Sequence, residues 1–190
     1  MTQTLRDSAA VRWFALLLLA LANFCVYIFM DILSPIKDLM EQTRGWDSLA
    51  FGTMQGSETF LNVFVFFLIF AGIILDKMGV RFTALLCGVV MLAGAVIKYL
   101  AVSELFIGSG CEAWFTEHLN YIPVFDELGV SPFYDGMPAS AKVAAIGFMI
   151  FGCGAEMSGI TISRGIVKWF KGREMALAMG SEMALARLGV

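Results

Sequence analysis

Two ionisable residues stand inside long apolar stretches, where a bare charge costs several kcal/mol unless it is paired or faces a cavity: Glu156 and Arg187. Counted along helices from the basic stretch between them, Glu156 lies about 18 Å deep and Arg187 about 20 Å. Opposite charges at one depth can neutralise each other as a structural pair. They can equally hold the two ends of a zwitterion, with Arg187 forking a carboxylate and Glu156 meeting an ammonium. The residues alone leave these two readings level. Gly152, Glu156, Gly159 and Ser163 recur at spacings of four, three and four, which puts them on one helix face. That face is small and polar, suited to close helix contact or to lining a cavity, and the carboxylate favours lining.

Two further polar stripes point to a wet interior: Asn23, Tyr27 and Asp31, and Gln55, Glu58 and Asn62. Asn23, Tyr27 and Asn62 are candidate solute contacts beside Glu156 and Arg187. Asp31 and Glu58 lie near a span boundary, where solvation or pairing with Lys37 or Arg44 is the cheaper explanation, and Lys98 and Arg164 sit within snorkelling reach of an interface. Glu182 is five residues before Arg187, on a different face. No G-x-S-x-G, H-E-x-x-H or phosphate-loop signature occurs, and His118 stands in a loop without a second ligand at metal spacing. Enzyme chemistry, a cofactor and a metal are therefore not expected.

The elements that must position these residues are membrane spans. Of 190 residues, 59% are hydrophobic and 15% charged, with mean hydropathy +0.80, a composition of the bilayer. Residues 11–30, 49–75, 82–102 and 143–167 are each long enough for a hydrocarbon core of about 30 Å. A fifth stretch, 175–190, is too short to span, so residues 1–190 read as an incomplete N-terminal half of a chain expected to continue. Arg6 and Arg12 stand ahead of the apolar core of the first span, but that core is long and no small-residue cleavage pattern follows, so it reads as a retained helix. Cys25, Cys87 and Cys153 fall in spans and Cys111 in a loop, which offers no disulfide framework.

Basic residues cluster in alternate loops: Arg6 and Arg12, then Lys77 and Arg81, then Lys168, Lys171 and Arg173. The positive-inside rule makes these cytoplasmic and puts the amino terminus inside. The 104–138 segment carries Glu104, Glu112, Glu117, Asp126 and Glu127, and its stretch 104–134 has no Lys or Arg. Rich in aromatics, it reads as an extracytoplasmic insertion folded against the membrane surface.

Between the second and third spans the chain reads Gly72, Asp76, Gly79 and Arg81 in the pattern G-x-x-x-D-x-x-G-x-R. Gly72 permits close helix approach, Gly79 a tight reversal, and Arg81 adds an inside charge. Asp76, at a helix carboxyl end, opposes the dipole and needs a partner such as Arg81 or another helix's amino end. This string resembles the loop signature of the major facilitator superfamily, with Phe82 departing where many members carry a second basic residue. The resemblance implies an all-α, twelve-helix fold in which Gly72, Asp76, Gly79 and Arg81 form a conformational switch latching the two halves.

The run F-G-C-G-A-E ending at Glu156, the run W-F-K-G-R-E ending at Glu174, and A-L-A-R-L-G from Ala184 to Gly189 resemble the lysosomal dipeptide-transporter branch of that superfamily and its bacterial relatives. In that branch a glutamate of helix four and an arginine of helix five recognise dipeptide termini, at positions matching Glu156 and Arg187. The resemblance tips the balance towards substrate binding. Phe148 stands where many members have an arginine linked to proton coupling, which points to uniport. The expected function is transport of dipeptides or similar zwitterions by alternating access, with proton-coupled carriage of an organic anion or sugar as the alternative and a non-transporting polytopic membrane protein as the reading from another class. Expected partners are a small solute, the bilayer and the chain's own C-terminal half, with no nucleic acid. A bacterial inner membrane is favoured over a lysosomal one by the short amino tail.

Overall fold

The computed structural model describes residues 8–172 and 174–189. Arg6 and Arg173, counted above among the inside charges, lie outside the described residues. Every regular element among those described is helical: α1 (Ala9–Asp31), α2 (Lys37–Arg44), α3 (Ser48–Gly56), α4 (Phe60–Phe64), α5 (Phe67–Val102), α6 (Gly110–His118), α7 (Pro123–Glu127), α8 (Ala139–Phe170) and α9 (Met175–Arg187), with 3-10 turns at Ser34–Ile36 and Ser57–Thr59. Three helical stretches, Ala9–Arg44, Phe67–Val102 and Ala139–Phe170, are long and apolar enough to cross a membrane, as befits a membrane protein.

α8 is the hub. It packs against every long helix, and it is far more buried than α1 or α5. Its small residues make this possible. A Cβ added to Gly94 of α5 would stand 2.5 Å from the Gly147 carbonyl oxygen, and one added to Gly147 would stand 2.7 Å from the Lys98 amide nitrogen, so the two backbones cross in contact. α1 follows from a run of Leu and Ala, strong helix formers. Leu16 and Ala20, one turn apart, face inward, while Leu17, Leu18 and Leu21 face out.

α5 is a hairpin. Gly79 has φ 79° and ψ 169°, a left-handed break that only glycine tolerates cheaply. Ala71 and Cys87 both belong to the buried cluster around Met157 of α8, yet on a straight helix they would be about 24 Å apart. The arm before Gly79 brings Asp76 to Arg164 of α8; the returning arm passes Gly154 near Met91 and reaches Gly147 at Lys98. The reversal expected at Gly79 is present. The continuous helix expected over 49–75 is not, because the chain breaks at the Ser57–Thr59 turn and again at Phe66, whose φ is 54°. The first break has a local cause: Ser57 turns its hydroxyl to the carbonyls of Met54 and Ala145 (2.6 and 3.0 Å), which ties this turn to α8.

The 104–138 segment folds through α6 and α7 onto one end of the bundle. Lys142, 1% exposed, donates to Asn120 Oδ1 at 2.7 Å and to the Phe115 carbonyl at 3.4 Å. Phe125 stacks edge-on against Phe60 at 4.8 Å. Trp46, fully buried, donates to Ser140 Oγ at 2.9 Å. Asp47 caps α3 by accepting from the Ala50 amide. Burial and that same Asp47 carboxylate push the Tyr134 hydroxyl above its ordinary pKa.

Candidate functional site

Where α1, α8 and α9 meet they leave a cavity of about 260 Å³. α1 contributes Asn23, Val26, Tyr27 and Met30, α8 contributes Ala155, Glu156, Gly159, Ile160 and Ser163, and α9 contributes Glu182 and Met183. Asn23 Nδ2 donates to Glu182 Oε1 at 2.7 Å, and Glu182 is 6% exposed. The helices place these groups by simple periodicity. Asn23 and Tyr27 are one turn apart, and Glu156, Gly159 and Ser163 keep the stripe read from their spacing.

That stripe divides at its upper end. A Cβ on Gly152 would stand 2.0 Å from the Glu58 carbonyl oxygen, so Gly152 serves close contact, whereas a Cβ on Gly159 would meet nothing within 4 Å. Close helix contact and cavity lining, posed as alternatives for one face, both occur on it.

Glu156 and Arg187 form no ion pair; the Arg187 guanidinium lies over the Tyr27 ring, 5.5 Å from its centroid, on an exposed side chain. Tyr27 thus links Arg187 to the edge of the cavity that Glu156 lines. Asn62 is buried outside this cavity, with neither amide atom hydrogen-bonded. Glu182, assigned on sequence to a different face from Arg187, reaches the cavity because Asn23 faces it. The available signal was that a carboxylate in an apolar helix needs a donor, and Asn23 is the only amide side chain in residues 11–30.

At the other end of α8, Asp76 pairs with Arg164. The sequence pattern points to Arg81 or a helix amino end as the partner of Asp76 and to a snorkelling Arg164; the hairpin instead sets Asp76 beside α8. Gly72, expected to admit a close neighbour, would meet nothing within 4 Å with a Cβ added. Arg81 is exposed. Lys98, expected to snorkel, is 4% exposed, its Nζ 3.7 Å from the Phe148 ring centroid and 5.3 Å from that of Phe29. The Gly94–Gly147 crossing, one turn earlier, tucks it under those rings.

Among the described residues no group of three or more His, Cys, Asp or Glu side chains could hold a metal ion. No protein-family profile, curated protein or solved structure matches this chain.

Proposed function

We propose that the chain belongs to a membrane transporter of the major facilitator type that carries a small zwitterion, a dipeptide or similar solute, by alternating access. The observation that carries this reading is the cavity among α1, α8 and α9, where the Glu156 carboxylate lies within an apolar bundle with no basic side chain among the described residues paired to it. A solute ammonium answers that carboxylate, and Arg187, poised over Tyr27 at the edge, supplies a forked donor for the solute carboxylate. With α3, α4 and the arm of α5 before Gly79 taken in succession as one pass and the arm after Gly79 as the next, these two passes, α1 and α8 make four crossings, and α9 begins a fifth. The basic end then faces the cytoplasm by the positive-inside rule, with Asp76 and Arg164 as one side of a latch. The apolar faces of α1 and α9 are left for lipid and a second half of the fold.

Full-length protein in liposomes tests the reading directly. Labelled dialanine should enter protein-containing vesicles and exchange against internal unlabelled dialanine, and Arg187→Ala should abolish both. If dialanine neither moves nor raises thermal stability, and Arg187→Ala changes nothing, the solute assignment is wrong.

A further inference from the structure

We propose that Glu58, seated beside Lys98 next to the cavity, is a proton-binding site through which solute binding at Glu156 is coupled to release of a proton. The coupling rests on the transport reading; the proton site stands without it.

Among the described residues, Gln55 Oε1, Glu58 Oε1, both amide atoms of Asn62 and Lys98 Nζ are buried without a hydrogen-bond partner. Native interiors leave few such groups, and each calls for a physical cause. Two glycines of α8 fix the geometry. Gly147 receives the backbone of Lys98 and Gly152 that of Glu58, about 7.5 Å apart along the helix axis. With backbone against backbone, neither residue's main chain can retreat from α8. Lys98 also faces an apolar cavity of about 210 Å³, walled by Phe29, Ile32, Leu33 and Tyr99 among others, which offers its ammonium no acceptor.

Carboxylates of two neighbouring helices act on this pair. Asp31 at the end of α1 acts on both Glu58 and Lys98, and Glu156 of α8 acts on Glu58. None of the four closes an ion pair. Three half-buried carboxylates to one buried ammonium leave an excess of negative charge beside an apolar bundle, which is costly. A proton on Glu58 removes part of that excess and converts the carboxylate into a neutral group that can also donate.

Glu156 connects this site to the solute. An ammonium arriving at Glu156 brings positive charge within reach of Glu58 and favours its carboxylate form. The Glu58 O–H bond then breaks, the electron pair stays on the carboxylate oxygen, and the proton passes to cavity water. By linkage, protonating Glu58 weakens solute binding to the same degree. A carrier built this way exchanges solute for a proton, in place of the uniport expected from Phe148.

Infrared difference spectra of the full-length protein in detergent, taken across about pH 5 to 9, read the site without any solute. The wild type should show a protonated-carboxyl band that titrates. Glu58→Gln should lack it, and Lys98→Met should displace its midpoint. Glu58→Asp keeps a carboxyl and should shift the band, which serves if Glu58→Gln does not fold. Identical titration in wild type and the Glu58 variants overturns the site. Dialanine added to weakly buffered protein should release one proton per molecule bound, and none in Glu58→Gln. Binding without proton release overturns the coupling. If dialanine does not bind at all, the solute assignment and its coupling fail together, and the carboxyl titration alone decides whether Glu58 binds a proton.

Discussion

Gly152 and Gly159 lie on one face of α8 two turns apart, and the structure assigns them opposite responses to the same substitution. In Gly152→Ala the new methyl would stand 2.0 Å from the Glu58 carbonyl oxygen and 2.8 Å from its carbonyl carbon. Ordinary contact begins near 3.4 Å, so the Glu58 backbone must retreat by about 1.4 Å, which a close-packed interior resists. That retreat also pulls Ser57 from the Ala145 carbonyl, now 3.0 Å away. Overpacking costs about 1–3 kcal/mol and the lost hydrogen bond about 1 kcal/mol. The expected loss is therefore about 2–4 kcal/mol, or a fall in Tm of roughly 5–15 °C for a chain of this size. In Gly159→Ala the methyl meets nothing within 4 Å and projects towards the cavity. Helix propensity then stabilises the variant by up to about 1 kcal/mol, while the narrowed cavity should slow dialanine uptake. Thermal melting of purified variants followed by tryptophan fluorescence measures the first effect, and liposome uptake the second. A Gly152→Ala protein that melts with the wild type, or a Gly159→Ala protein that melts well below it, would refute the packing argument.

Three further outcomes follow from the same geometry. Arg187→Lys should weaken dialanine binding about 10- to 100-fold, the loss expected when a forked guanidinium contact gives way to a point charge; unchanged affinity by calorimetry counts against Arg187 as the carboxylate donor. Lys142→Met deprives Asn120 and the Phe115 carbonyl of their shared donor, so a Glu-specific protease should cut at Glu112 or Glu117 about tenfold faster as the segment opens locally more often; an unchanged digestion rate removes Lys142 as the anchor. A double-mutant cycle on Asp76→Asn and Arg164→Gln should show coupling below about 1 kcal/mol in stability, because both side chains are well exposed, but a larger coupling in uptake rate; strict additivity in uptake argues against a latch.

Much of the scaffold is legible from apolarity alone. The cores of α1 and α8 coincide with stretches 11–30 and 143–167, and Gly79 turns the chain where a glycine between two apolar arms requires it. The break in 49–75 is illegible by that route. Apolarity does not distinguish a continuous helix from α3, a 3-10 turn and α4 in succession, and the turn is held by a hydrogen bond from Ser57 to Ala145, 88 residues away. In the candidate site, residues that share a helix face with Glu156 could be read from spacing, because periodicity is local. Partners across helices could not, and Asn23 with Glu182, Asp76 with Arg164, and Lys98 with Phe148 all depend on how the helices cross.

Those crossings have a common cause that bears on where the charges lie. A snorkelling lysine requires its backbone to stand far enough from the next helix for the side chain to run along the surface. At Lys98 the glycines at 94 and 147 remove that clearance, and the side chain is caught between two aromatic rings. At Glu58 the glycine at 152 does the same. Glu156, one turn beyond Gly152, lies where the helices part around the cavity, and it lines that cavity. Small residues on α8 therefore determine which charges are trapped and which are presented. Enlarging Gly94 or Gly147 should alter the environment of Lys98 even though the lysine itself is unchanged.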